Sequence, residues 1–305
     1  MIGSFFAGLL SGSISAGTPL LYATLGEVIA ERAGIINLGL EGVMLMGAVV
    51  GFSTTVQTGS AALGIFAAAL AGGIFNMVFG FLVITRRANQ LASGLALMFC
   101  GVGLSALLGA PYIGSRIQGL NEIRIPLLSD LPVVGATFFH YDILIYLTVP
   151  IAILGWWVLF YTRWGLSLRA VGEDPTAAFA AGKNPYALQY QALLIAGVLG
   201  GIAGAHLSLA SAKTWAEWMT AGRGFIAVAL VIFSKWHPLR AIVGALLFGG
   251  AIAFQLQMQA RGVPVSPFLL DMLPYLLSLA VLAIWGGARG HAAPASLGRV
   301  FQGTE

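Results

Sequence analysis

Charge is what this chain of 305 residues has least of. Lys and Arg number 15 and Asp and Glu 11, so charged residues make up 9% of the sequence, against roughly 25% in soluble domains. That shortage excludes an ordinary water-soluble globule. The net charge of +4 is spread over segment ends and offers no basic face to nucleic acid. Cysteine is limited to Cys100, inside an apolar run, which rules out an intramolecular disulfide. Motifs for chemistry are scarce as well. Of the three lysines only Lys183 follows a glycine, and there Ala177 stands where a phosphate-binding loop needs its first glycine, with Asn184 in place of Ser or Thr. No His-Glu-x-x-His, Gly-x-Ser-x-Gly or Cys-x-x-Cys occurs, so hydrolysis, redox chemistry, a metal site and a resident cofactor have no support, and no catalytic residue is expected. The four histidines are scattered, and His206, within an apolar run, is expected to be a hydrogen-bonded packing residue rather than a ligand. The first Lys or Arg is Arg32, so the basic start of a cleavable signal is missing.

Apolar residues are what the chain has instead: 58% of the sequence, with a mean hydropathy of +0.91. Runs of about 20 residues rich in Ala, Leu and Gly point to membrane-spanning helices, since a β-barrel would alternate over segments of about ten. The expectation is an all-α polytopic membrane protein with nine apolar segments, at 3–26, 34–56, 61–85, 88–110, 142–161, 186–210, 223–235, 239–259 and 269–286. The seventh is too short to span a core of about 30 Å as a helix. Trp215 and Trp218 before it and Trp236 after it look like interfacial anchors that favour crossing. Gly72, Gly73 and Gly80, and Gly197, Gly200, Gly201 and Gly204, suit close helix approach.

Orientation follows from the basic residues. With the N-terminus outside and every segment crossing, the inside holds Arg32, Arg86, Arg87, Arg163, Arg169, Lys183, Lys235, Arg240, Arg289 and Arg299. The outside holds Arg116, Arg124, Lys213, Arg223 and Arg261. This bias places the C-terminus in the cytoplasm. Residues 1–288 form one transmembrane domain, with an external loop at 111–141, expected to be an ordered cap or short interfacial helix, and a cytoplasmic loop at 162–186. Residues 289–305 form a polar cytoplasmic tail expected to be mobile.

The loop from Trp164 to Pro185 is the one place where the apolar chain becomes a structured polar segment. Asp174 before Pro175 reads as an N-cap with proline at the first helical position, and Gly182 as a left-handed stop. The two turns between them, roughly 10 Å, cannot stand alone in water. Small side chains around the single aromatic Phe179 give a platform with a knob, shaped for a cleft in another protein.

Polar residues inside apolar segments are pathway candidates by cost alone. In RAGIINLGLEGVMLMGA, Asn37 and Glu41 lie four apart, on one helical face, in a run interrupted by Gly34, Gly39, Gly42 and Gly47. Such a segment reads as a discontinuous, cavity-lining helix, or as a structural tie between helices. Asn76, Gln90, Ser93 and Gln255 are further candidates, and Phe225, after Gly222 and Gly224, could stack on a flat solute.

Four stretches carry a family resemblance: GEVIAERAGIINLGLEGVMLMGA, GLSLRAVGEDPTAAFAAGKNP, GVLGGIAGAHLSL and GRGFIAVALVIFSKWHPLRAIVGALLFGG. Together they resemble the membrane permease subunit of ATP-binding-cassette importers, in the branch of ribose, branched-chain amino acid and nucleoside importers. The Asn-Leu-Gly-Leu-Glu-Gly core is most similar to nucleoside and simple-sugar members. The resemblance implies that residues 174–182 are a coupling helix seated in an ATPase subunit, with Gly172, Glu173, Ala177, Ala178 and Gly182 at motif positions; Lys183-Asn184-Pro185 departs from the pattern. It also implies partners: cytoplasmic ATPase subunits that consume the ATP, a second permease or a second copy of this chain, and an external solute-binding protein or lipoprotein, all at the cytoplasmic membrane with its lipid. Alternating access of a nucleoside is the mechanism implied. A monosaccharide or amino acid, or an ion-coupled secondary transporter using Glu41, are the alternatives.

Overall fold

A computed structural model of the chain describes residues 2–124, 138–263, 265–285 and 293–299. Helices dominate: α1 (Ile2–Arg32), α2 (Leu40–Thr58), α3 (Ala61–Gly80), α4 (Gln90–Gly109), α5 (Ile143–Tyr161), α6 (Arg163–Glu173), α7 (Pro175–Ala180), α8 (Pro185–Ala205), α9 (Arg223–Phe233), α10 (Pro238–Ala260), α11 (Pro267–Asp271) and α12 (Leu273–Trp285). Wider π-helical turns extend α3 through Phe81–Thr85 and α8 through His206–Ser211. Seven of these elements are long and apolar enough to cross a membrane: Phe5–Arg32, Leu40–Thr58, Ala61–Thr85, Gln90–Tyr112, Ile143–Tyr161, Pro185–Ser211 and Pro238–Ala260. Helix α9 and the stretch Phe268–Ala280 are apolar but shorter. The expected second segment differs at its start, because residues 33–39 are not helical and α2 begins only at Leu40.

Glycine sets the packing. A Cβ on Gly72 would lie 2.7 Å from the Gly201 Cα, and one on Gly197 2.6 Å from the Asn76 Cβ, so the backbones of α3 and α8 touch. Close approach of this kind supplies the van der Waals contact that must replace the hydrophobic effect between helices in lipid. On the other side of α1, Gly12 and Gly17 meet Ala253 and Ala245 of α10 in the same way. Large apolar side chains such as Phe66, Ile74, Phe99, Leu107 and Leu154 point outward, as suits a hydrocarbon surround.

The bundle has two polar ends. At one, Gln57 bonds Tyr112, Ile117 donates to the Lys213 carbonyl, and Ile123–Arg124 (β1) pairs antiparallel with His140–Tyr141 (β2). Residues 125–137 of the 111–141 loop, which is expected to be an ordered cap or short interfacial helix, lie outside the described residues. The other end gathers Arg32, Arg87, the α6–α7 loop, Trp236 and residues 293–299. Between Ser211 and Pro238 the chain runs from the first end to the second. Its upper part is irregular, and α9 covers only the lower part, alongside α1: Thr24 Oγ1 donates to the Ala227 carbonyl and Arg32 Nε to that of Trp236. The proposed tryptophan anchors are corrected here. Trp215 and Trp236 are buried, and only Trp218 is exposed, because the first two fill gaps between helices.

Candidate functional site: a capped polar loop and a buried polar junction

Asp174 caps α7 as its sequence position implies. Its backbone is extended, and Oδ1 accepts the N–H groups of Thr176 and Ala177 at 2.9 Å each. Gly182 ends the turn with φ +77°, a conformation that other residues adopt only with strain. Phe179 is 45% exposed and forms the knob. Ala178, however, is 5% exposed: it faces inward, so the exposed face of α7 is made by Thr176, Ala177, Phe179 and Ala180 rather than by an unbroken alanine platform.

The preceding helix is locked to the rest of the protein. A Cβ on Gly172 would run into the Arg32 carbonyl, so only glycine lets α6 lie against the end of α1. Residues 293–299, expected to be mobile, are instead docked on this contact. Ser296 donates its N–H and Oγ–H to the Gly172 carbonyl at 3.0 and 2.7 Å, Ala295 N–H reaches Glu173, and Gly298 N–H donates to the Gly34 carbonyl. The tail holds because the α6 C-terminus and the α1–α2 break both expose carbonyls that need donors.

That break is the centre of the polar network. Its backbone has no helix to satisfy it, and side chains do so instead. Ile36 N–H goes to Gln90 Oε1 at 2.9 Å, Asn37 N–H to Glu27 Oε1 at 2.8 Å, and Gly39 N–H to Asn37 Oδ1 at 2.8 Å. Gln189 donates to the Ala33 carbonyl, and Gln90 Nε2 to the Arg299 carbonyl at 3.1 Å. Asn37 Nδ2 donates to Asn76 Oδ1 at 2.6 Å, and Asn76 in turn to the Leu193 carbonyl.

Asn37 lies in the break and Glu41 in the first turn of α2, so the two do not share a helical face as their spacing suggested; Glu41 is fully buried. Its carboxylate receives the Thr220 hydroxyl at 2.5 Å and the Gly222 N–H at 2.7 Å on Oε1, and the Gly224 N–H at 2.6 Å on Oε2. It closes the start of α9, where free N–H groups and the helix dipole favour an anion. A Cβ on Gly224 would fall 2.7 Å from Oε2, so the carboxylate fits because this residue has no side chain. Of the sequence candidates, Asn37, Asn76 and Gln90 therefore bond around the break, Glu41 serves the neighbouring start of α9 instead, and Ser93 is buried one turn from Gln90. Phe225 and Gln255 are half-buried on α9 and α10 and stand apart from it.

Sequence reasoning passed over Glu27, Glu31, Thr220 and Ser296, and read Trp236 as a membrane anchor instead. Glu27 and Glu31 repeat the four-residue spacing of Asn37 and Glu41, which was a usable signal; Trp236 Nε1 donates to Glu31 Oε2 at 2.6 Å. Ser296, in the run Ala-Pro-Ala-Ser-Leu-Gly, carried none.

His206 also departs from expectation. It is buried at 1% exposure, and neither ring nitrogen makes a hydrogen bond among the described residues. Nε2 lies 3.5 Å from Asp142 Oδ2, while Asp142 Oδ1 caps α5 through the Leu144 and Ile145 N–H groups. Burial pushes the Asp142 carboxyl up, but His206 and these N–H donors outweigh it and leave the group below its ordinary value.

Helices that span a membrane, a half-length helix whose start faces a buried acid, and a capped loop at one end define a polytopic protein of the transport class. The chain belongs to the family described as branched-chain amino acid transport system, permease component, which matches residues 9–282. It is 40% identical over 92% of both chains to a Haloferax volcanii permease, TsgC13, provisionally assigned to glucose. It is 37% identical to the nucleoside ABC transporter permease NupC of Lactococcus lactis, over 88% of this chain and 89% of that one. Against the guanosine ABC transporter permease NupQ of Bacillus subtilis it is 34% identical over 87% of each. It is thus a multi-pass permease subunit of the cytoplasmic membrane.

Proposed function

We propose that this permease carries a nucleoside inward through the cytoplasmic membrane, by alternating access driven by separate ATPase subunits. The observation that carries this reading is α7: a short, doubly capped helix, exposed on Phe179 and tied through Gly172 and Ser296 to the break at Gly34. A pull on α7 would be felt at the Asn37, Asn76, Gln90 and Glu41 junction, which we assign to the moving part of the pathway. Ser93, Phe225 and Gln255 are assigned to its walls. Gly172, Glu173, Asp174, Pro175, Ala177, Ala178, Phe179 and Gly182 make up the coupling element.

The same reading has nine passages across the membrane, counting the 212–236 stretch and α12, with the N-terminus outside and the α7 end in the cytoplasm, as the basic residues favour. Two permeases, the chain with itself or with a homologue, enclose the path. An external binding protein or lipoprotein delivers the solute, and ATP is bound by the partner subunits rather than by this chain. Named nucleoside permeases among the relatives support the substrate. Glucose is the second reading, favoured by the Haloferax relative.

The test is uptake of labelled guanosine and of labelled glucose into proteoliposomes holding the full importer. ATP-dependent guanosine uptake is expected. Uptake by this chain alone without ATP would refute the importer reading, and glucose uptake in place of guanosine would select the second substrate.

A further inference from the structure

Just before α9 the chain is irregular at a depth where lipid would surround it. Residues 213 and 214 are held at the end of the bundle opposite α7, where Ile117 donates to the Lys213 carbonyl and Thr214 Oγ1 to that of Ser115. Arg223 stands the eleven residues of α9 away from the other end, about 16 Å, so a basic residue that the sequence places outside sits about half way through. Between these points residues 216–222 form neither helix nor strand, and Ala216, Glu217, Trp218 and Ala221 among them are exposed. Exposed irregular backbone is tolerated at this depth where it lines a water-filled cavity, not where it meets lipid. Trp218 and Ala221 have φ of +58° and +47°, strained values for residues with side chains, of the kind that gather at functional sites. Glu41 holds the turn from behind through Thr220 and Gly222.

Two side chains of this turn are left over by the fold. Trp218 is 45% exposed. Arg223 lays Nη1 on the Met219 and Thr220 carbonyls at 3.3 and 3.0 Å, which anchors the guanidinium one residue from the indole. It makes no ion pair among the described residues; of the two nitrogens that make no hydrogen bond there, Nε is enclosed and Nη2 is not. Glu41 is close enough to act on its charge, but both carboxylate oxygens are taken by other donors. The chemistry selects the occupant. With Glu41 and exposed Glu217 outweighing one guanidinium, an anion is not drawn in, and an exposed donor repels a cation. A neutral solute with a flat face for Trp218 and acceptors for Arg223 remains. A 6-oxopurine fits: its ring stacks on an aromatic side chain, and O6 and N7 are both acceptors, where adenine sets an amino donor beside N7.

Resting on the transport reading above, we infer that the turn at residues 217–223 recognises the base of the solute, with Trp218 stacked on it and Arg223 Nη2 donating to O6 or N7, which selects guanosine and inosine over adenosine. Glu41 positions this turn without touching the solute.

The test is ATP-driven uptake of labelled guanosine and of labelled adenosine by the full importer in proteoliposomes. Wild type should show a kcat/KM for guanosine at least about tenfold above that for adenosine, and equal values overturn the assignment. Arg223→Gln, whose amide both donates and accepts and so pairs with adenine as well, should cut that ratio at least about tenfold. A merely structural role would lower both uptakes together and leave the ratio. Trp218→Gly removes the ring and the backbone strain together and should raise the KM for guanosine at least about tenfold, with Trp218→Phe close to wild type; this pair decides the matter if Arg223→Gln does not assemble. An unchanged ratio in Arg223→Gln, or an unchanged KM in Trp218→Gly, overturns the site and leaves the transport reading standing. If the wild-type importer takes up no nucleoside, the nucleoside reading itself falls.

Discussion

Replacing Glu41 with glutamine should detach the start of α9 from α2 while changing almost no volume. Each carboxylate oxygen accepts a different backbone N–H, Gly222 on Oε1 and Gly224 on Oε2, and Oε1 also accepts the Thr220 hydroxyl. An amide has only one acceptor oxygen. Whichever way it is turned, its NH₂ group faces one of the two buried N–H donors. An unmatched buried donor costs about 1–3 kcal/mol, and the surviving bonds lose the charge that made them worth about 1.5–3 rather than 0.5–1.5 kcal/mol. Together this is roughly 3–5 kcal/mol, which corresponds to about two to four orders of magnitude in the local opening equilibrium. Hydrogen–deuterium exchange of the purified protein, read at the amides of residues 222–226, measures that change directly, and ATP-driven uptake should fall with it. Gly224→Ala should give the same result by a different cause, since the new Cβ would stand 2.6 Å from the Glu41 Cα. If exchange at these amides is unaltered in Glu41→Gln, the carboxylate does not hold α9 and the account of the junction is wrong.

Further predictions concern the coupling loop and its supports. Phe179→Asp, at a side chain 45% exposed, should abolish ATP-driven uptake and copurification with the ATPase subunits while leaving the melting temperature within a few degrees. Ala178→Asp is a poorer probe, because that buried residue should destabilise the loop itself by a few kcal/mol, about the cost of an unpaired buried charge. Ser296→Val removes the hydroxyl donor to the Gly172 carbonyl and keeps the backbone N–H one; a loss of about 1 kcal/mol and faster proteolysis of the tail are expected. Trp236→Phe withdraws the donor from Glu31 Oε2 and should lower the melting temperature by a cost of about 1–3 kcal/mol; a melting curve that overlays wild type would show that another group takes over.

The local grammar of the chain was legible in one dimension. Asp174, Pro175 and Gly182 announce α7, because capping depends on the neighbouring few residues and on little else. The apolar runs mark the spans for a similar reason: lipid demands about 20 residues of uninterrupted helix wherever the chain passes. Glycine positions along α3 and α8 foretold close packing, though not which helix each would meet. The break at 33–39 was readable only as a weakness in the second segment.

Pairing over long distances was decided by the tertiary structure alone. Sequence singled out Glu41 but could not say that it would close the start of α9, about 180 residues away, since a carboxylate serves a solute path and a helix end equally well. The inward turn of Ala178, the burial of Trp215 and Trp236, the docking of Ser296 and the pairing of buried His206 with Asp142 share that origin. Burial of a polar group is tolerated or costly according to the partner that meets it, and a partner is a property of the folded chain, not of the residue.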